Sequence, residues 1–293
     1  MRFGAVGDLH GAFDALDLIM RRHPEIGLWL CPGDLANDAG EYPSPIAPLY
    51  WIKGNNEDFD FVAAQPPASG TIPNLHFLPN GVAVTAFGLS LAGLGGTFAP
   101  TWYETPAAEL PPGRAGRGAL ASEEKKSRGA ARGEGVPASD AAGAGRGAPA
   151  SEEKKSRGAA RGGGVPASDA AGAGRGAPAT KDDKRRHFVH EEVEACKSLR
   201  GIDVFLSHEA ARPFLLDPRR GPGPARRIDA GKTPINEVLA AMQPRLHLFG
   251  HHHQYTVAER QKVTSIGLEL VTESYVIFDG KSLAHQRFKT YSP

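Results

Sequence analysis

Five short apolar runs in this chain end on a small residue followed by groups that can bind a metal ion or move a proton. The first is followed by Gly7-Asp8-Leu9-His10, the second by Gly33-Asp34, and the third by Gly54-Asn55-Asn56-Glu57. The last two are followed by Ser207-His208-Glu209 and Gly250-His251-His252-His253. Asp8 and His10 stand two apart, as do His251 and His253, so in extended chain each pair points to one side. Each block alone is ordinary. Gly-Asp is common at turns, and a lone His after a strand is more often a hydrogen-bonded surface group. Convergence is what changes the reading. In a layered α/β sheet the carboxyl ends of the strands form one edge, where ligands bind. That edge would gather Asp8, His10, Asp34, Asn55, His208, His251 and His253. Carboxylates that can bridge, together with neutral imidazoles, suit two divalent cations such as Mn, Fe, Zn or Ni better than Mg or Ca.

The elements that must carry these blocks follow from hydrophobic period and chain breakers. Arg2–Val6, Leu28–Cys31, Tyr50–Ile52, Asp203–Leu206 and Leu246–Phe249 read as buried strands. Ala12–Arg22 and His190–Leu199 read as helices. A third helix, Pro234–Met242, has Thr233 as its expected cap and Pro at its first position. Short alternating runs close the chain: Tyr255–Ala258, Val263–Ile266, Leu268–Val271, Tyr275–Phe278 and Ala284–Phe288. Strand–helix alternation followed by a β-rich tail predicts an α/β layered sandwich. Phe77–Tyr103 carries no charge over a length that could span a bilayer. Its Gly and Pro residues divide it, so it reads as two buried strands, Val82–Phe87 and Leu89–Leu94.

The middle of the chain is different in kind. Gly116-Arg117-Gly118-Ala119 recurs at 145 and at 174, an offset of 29 residues each time. A solenoid repeat needs an apolar face, yet 113–186 offers only Leu120, Val136 and Val165 as large aliphatics and no aromatic residue. Such a segment cannot offset its ordering entropy, so 113–186 reads as a disordered low-complexity insertion. It holds 16 Lys/Arg and 9 Asp/Glu, a net of +7 against +1 for the whole chain. A basic tether could hold RNA or an acidic surface, but interleaved Glu and Lys favour a solvated spacer. Residues 1–112 and 187–293 then form one discontinuous domain.

Composition bounds the rest. With 40% hydrophobic and 23% charged residues, a wholly disordered protein is excluded. Near-neutral charge gives no overall pull towards nucleic acid or acidic membranes. Cys31 and Cys196 cannot build a disulfide scaffold or a four-Cys zinc site. The start carries too short an apolar run for a secretory signal, so the expected location is cytoplasmic, without a membrane partner.

The ordered blocks Asp-x-His, Gly-Asp, Gly-Asn, Ser-His and Gly-His-x-His resemble the calcineurin-like metallophosphoesterase family, across both flanks from 7 to 253. The resemblance implies a four-layer fold, two mixed β-sheets flanked by helices, interrupted here by the insertion. It implies one metal held by Asp8, His10, Asp34 and His253, and another held by Asp34, Asn55, His208 and His251, with Asp34 bridging. It also implies hydrolysis of a phosphate mono- or diester by a metal-bound hydroxide, with Asp34 and residue 56 in the catalytic set. The segment from Arg185 to His208 is loosely similar to the RNA lariat debranching branch, which makes a nucleic-acid phosphodiester one narrower expectation.

One position departs from the family. Its usual block is Gly-Asn-His, and that His serves the leaving oxygen; here the residue is Asn56. An amide donates a hydrogen bond but is no general acid at pH 7. The competing reading is therefore a non-catalytic metal-binding scaffold. Glu57 is expected to orient a ligand from behind. Asp38, His76 and His252 could line the cleft, with His252 turned away by alternation, and Arg219, Arg220, Arg226 and Arg227 could bind substrate phosphate.

Overall fold

Alternation within the strands sorts their side chains into layers, and those layers fix where the strand ends lie. The computed structural model describes residues 1–67, 70–112, 182–217 and 228–291. The first flank supplies β1 (Arg2–Val6), α1 (Phe13–Arg22), β2 (Trp29–Cys31), β3 (Leu49–Trp51), α2 (Phe59–Ala63) and β4 (Leu75–Phe77). It continues with β5 (Val84–Ala86), β6 (Leu89–Leu94) and β7 (Thr97–Phe98). The second flank supplies β8 (His187–Phe188), α3 (His190–Ser198), β9 (Val204–Ser207), α4 (Thr233–Met242) and β10 (Leu246–Phe249). It ends with β11 (Thr256–Arg260), β12 (Val263–Gly267), β13 (Ser274–Asp279) and β14 (His285–Lys289).

Two six-stranded mixed sheets result. The first runs β14-β13-β1-β2-β3-β4 and the second β11-β12-β10-β9-β6-β5. In the first, β1 to β4 are mutually parallel. In the second, β6, β9, β10 and β12 are parallel. Phe3, Ala5, Leu30, Leu206, Leu248 and Phe278 fill the space between the sheets. The outer face of the first sheet packs Trp29, Trp51 and Tyr275 against Leu16 and Ile19 of α1 and Val62 of α2. The outer face of the second packs Ala92 and Phe205 against Val193 of α3 and Ile235 and Leu239 of α4. This is the sandwich flanked by helices that the resemblance implies. Both flanks contribute strands to the second sheet and to the pair β7–β8.

Three local expectations need correction. Leu268–Val271 is not a strand but the crossing from the second sheet to the first. There the Val271 amide donates to the Asp8 carbonyl and Ser274 Oγ donates to Glu269. Thr233 does not cap α4; Lys232 occupies that position, and no side chain caps the helix. The apolar stretch after Phe77 forms β5 and β6, shorter at β5 than expected. Among the described residues, no helix is long and apolar enough to cross a membrane.

Residues 113–181 of the expected insertion, with its repeats and its basic tether, lie outside the described residues. The described chain resumes at 182, inside the span 113–186, with a 3-10 turn at Lys184–Arg186. Arg185 there ion-pairs with Asp183 and Asp60 at 2.7 Å each. The chain leaves and returns at one place, since the Lys184 amide donates to the Pro111 carbonyl at 3.1 Å. Excising Gly113–Lys181 and joining the ends with about five residues therefore imposes no strain. Shorter loop closure should stabilise the domain by up to roughly 2 kcal/mol. Thermal unfolding should show an unchanged or higher Tm; a fall of about 10 °C or more would mean the excised segment packs on the domain.

Candidate metal centre

Each of the five blocks stands at the carboxyl end of a parallel strand. Asp8, Asp34 and Asn55 follow the neighbours β1, β2 and β3 of the first sheet, and His208 and His251 follow the neighbours β9 and β10 of the second. Close approach at this edge requires glycine. A Cβ on Gly54 would lie 2.0 Å from Asp34 Oδ1, and one on Gly250 would lie 2.1 Å from Asp8 Oδ1.

The donor atoms gather into two groups, Asp8–His10–His253 and Asp34–His208–His251. Asp34 Oδ2 connects them, 3.7 Å from His10 Nε2 and 3.6 Å from His208 Nε2. Asn55 joins the second group, its Oδ1 2.9 Å from His208 Nε2. The geometry differs from the extended chain expected of the i, i+2 pairs. His10, Asp34, His251 and His253 all have positive φ, between 44° and 63°. These kinks send His251 and His253 into different groups. Left-handed backbone at residues other than glycine costs on the order of 1–3 kcal/mol each and gathers at functional sites.

Several contacts lack a proton or a partner that a cation would replace. Asp8 Oδ1 is buried and has no hydrogen-bond donor. Its Oδ2 accepts from the His251 amide at 2.9 Å and lies 3.1 Å from His253 Nε2. His10 Nε2 and His253 Nε2 face each other at 3.2 Å, an arrangement in which two neutral rings can share only one proton. His208 Nδ1 lies 2.8 Å from the Pro32 carbonyl, which can only accept. Nδ1 therefore carries the proton, and the Nε2 lone pair points at Asn55 and Asp34. The donor set fits two cations. Burial opposes ionisation of Asp34, but His208, His10 and Asn56 together hold its carboxyl below the usual range. Burial likewise opposes the His208 imidazolium, and the Asp34 and Asp8 charges overcome it and raise that pKa.

Asn56 is anchored on Asp34. Its amide N donates to Oδ1 and its side-chain Nδ2 donates to Oδ2, both at 2.8 Å. Glu57 is fully buried and accepts from the amides of Leu35, Ala36 and Gly54. It thus ties the Asp34 turn to the Asn55 turn, and burial beside Asp34 pushes its carboxyl up to about 8. A cavity of about 240 Å³ opens beside His10 and Asn56, lined also by Asn37, Asp38, Glu57 and Asp58. His76 does not share this site: it lies within the edge strand β4, its ring stacked on Tyr50 at 4.6 Å. His252 stacks on Phe214 at 4.8 Å, turned from the two groups. Arg219, Arg220, Arg226 and Arg227 lie outside the described residues.

Two residues at the site went unassigned in the sequence. Glu209 is buried, with Oε1 3.8 Å from His251 Nε2 and 3.5 Å from Lys232 Nζ. Its Oε2 accepts from the Phe98 amide at 2.9 Å, which brings β7 to the site. Its position directly after His208 was the available signal. His247 lies beneath the second group, and its signal was a polar residue within the apolar run Leu246–Phe249.

Comparison with known proteins agrees with the motifs. The calcineurin-like phosphoesterase family matches residues 1–103, which hold the first three blocks. No curated protein matches the sequence. One solved structure superposes with a TM-score of 0.58 at 9% identity, covering 99% of both chains. The structure of TT1561 from Thermus thermophilus superposes with a TM-score of 0.52 at 10% identity, again covering 99% of both chains. At such identities the likeness speaks for the fold alone.

The Glu57 contacts yield a direct test. Glu57→Gln keeps the size and, with its oxygen left to Leu35 and Gly54, sets an NH2 against the Ala36 amide. A buried hydrogen bond left unmade costs about 1–3 kcal/mol, so urea denaturation should show a loss of that order. An unchanged midpoint would mean that the carboxylate does not hold these turns together.

Proposed function

We propose that this chain, calcineurin-like phosphoesterase in sequence over 1–103 and sandwiched in fold, is a two-metal hydrolase of small phosphate esters. The observation that carries the proposal is the position of Asp34 Oδ2, which lies between His10 and His208 and so between the two donor groups. Two divalent cations there would neutralise phosphoryl oxygens and supply a water acidic enough to attack phosphorus near neutral pH. The imidazole-rich donor set favours Mn, Fe, Zn or Ni. Asp34 would bridge the two ions, with Asn56 orienting it through its side chain and Glu57 through the backbone of its turn. The scaffold reading is not adopted, because all seven donor residues stand at one edge.

Charge around the site supports a small substrate over a nucleic acid. The cavity beside His10 is walled by Asp38 and Asp58 and by no Lys or Arg among the described residues. Among the described residues, Lys232 beside the site is engaged by Glu209, and Arg185 and Arg212 are engaged by Asp183 and Asp60 and by Asp229. Polyanion binding rests on cations free to replace counterions. A panel of small aryl phosphate mono- and diesters with added Mn²⁺ should therefore show turnover, and oligonucleotides little. Absence of hydrolysis of every small ester with every one of the four metals would refute the proposal.

The bridging role of Asp34 has its own test. Asp34→Ala should lose both ions, whereas His10→Ala should weaken mainly one. Elemental analysis after dialysis reads this, and two metals per chain in Asp34→Ala would refute the bridge.

The Asn56 geometry leaves the leaving oxygen without an acid from that position. General acid catalysis is worth about 10²–10⁴ in rate and narrows the gap between good and poor leaving groups, so without it aryl esters should outpace alkyl esters by close to their full solution difference. Asn56→His should raise alkyl-ester turnover more than aryl-ester turnover. Asn56→Ala removes only the Asp34 contact, so it should lower metal retention and leave the aryl-to-alkyl ratio unchanged. Equal gains on both ester classes in Asn56→His would show that leaving-group protonation does not limit the rate.

A further inference from the structure

The turn that carries His208 is braced from behind by a hydrogen-bonded relay that no ligand role explains. His247 lies in the middle of β10, fully buried in the layer between the second sheet and helices α3 and α4. Register places it between Phe205 of β9 and Ser265 of β12. Its ring stacks on Phe205 and on Phe249, with centroids 5.5 Å away in each case. Its Nε2 lies 2.7 Å from Ser207 Oγ and its Nδ1 lies 3.0 Å from Ser265 Oγ. Ser207 Oγ in turn donates to the Glu209 carbonyl at 2.5 Å.

One arrangement of protons satisfies every atom. The Glu209 carbonyl can only accept, so the single Ser207 proton goes there. Ser207 must then accept from His247, which places the ring proton on Nε2. The remaining Nδ1 lone pair accepts from the Ser265 hydroxyl. The ring is thus neutral and fixed in one tautomer. Its ring neighbours Phe205 and Phe249 are apolar, so packing alone would be met by an apolar side chain with no polar atoms of its own to satisfy. What the relay adds is a clamp across the two residues that flank His208. Ser207 is held by its side chain and Glu209 by its carbonyl. Between them, His208 reaches Pro32 with Nδ1 and turns Nε2 towards Asp34.

We infer that His247 is a positioning residue for the His208 metal group, acting through Ser207; this rests on the two-metal reading above. A group hydrogen-bonded to a metal ligand itself accounts for about 10- to 100-fold in metal affinity, and the relay, acting one residue further out, is expected at the low end of that range. A purely structural part in the core would instead show as lost stability alone.

The test is Co²⁺ titration of metal-free protein, read by the Co²⁺ absorption bands, with unfolding measured in parallel. Wild type should bind two ions. His247→Phe and Ser207→Ala should each weaken one ion about tenfold or more. The double variant should lose no more than the larger single effect, because both act along one path. Val238→Ala, in the same packed layer, is the control: it lowers Tm but should leave both affinities within about twofold of wild type. If His247→Phe does not fold, Ser207→Ala gives the same reading with a smaller volume change. Unchanged Co²⁺ binding in folded His247→Phe or Ser207→Ala would overturn the inference. An equal loss in Val238→Ala would overturn it too. Failure of the wild type to bind Co²⁺ at all would instead remove the two-metal reading beneath it.

Discussion

Two buried carboxylates set the terms for this structure. Asp8 and Asp34 are each 1% exposed, and no described Lys or Arg ion-pairs with either. Burying an uncompensated carboxylate costs several kcal/mol even after relaxation. Backbone amides supply part of the compensation: those of Asn55 and Asn56 donate to Asp34, and that of His251 donates to Asp8. Imidazoles supply another part. What is left, with Asp8 Oδ1 unpartnered and two imidazole nitrogens facing each other, is what the cations of the proposed centre would compensate.

The rest of the fold makes that costly edge tolerable. Parallel strands in both sheets deliver their carboxyl ends to one place, and three apolar layers hold the sheets in register. The left-handed turns at His10, Asp34, His251 and His253 aim side chains that extended chain would send elsewhere. Their strain is stable only because neighbours over-determine it. Glu57 does this for the Asp34 turn. The relay from His247 braces Ser207 and Glu209 on either side of His208, whose own backbone is unstrained. Charge, backbone strain and buried polar contacts are therefore one problem solved together at the strand ends.

Much of this was legible in the residues, and the parts that were not have physical reasons. The strands carrying Asp8, Asp34, His208 and His251 are short apolar runs stopped by Gly or Ser, which is a strong local signal. The gathering of their end groups followed from parallel topology alone. The i, i+2 argument reached the right neighbourhood by the wrong route, because positive φ at a histidine leaves no trace in sequence. Leu268–Val271 has strand-like alternation, but it is a crossing held by the Asp8 carbonyl, a contact across more than 260 residues. The cap of α4 was misplaced by one residue, since Thr233 suits that position and the backbone chose Lys232. Glu209 and His247 were missed because their roles depend on partners on other strands.

Oδ2 of Asp34, between His10 and His208, is the oxygen that two cations would share. Anomalous diffraction from crystals soaked in Mn²⁺ tests it most directly. Two peaks are expected about 3.5–4 Å apart, both within bonding distance of Asp34. A single peak, or two peaks of which only one touches Asp34, would contradict it.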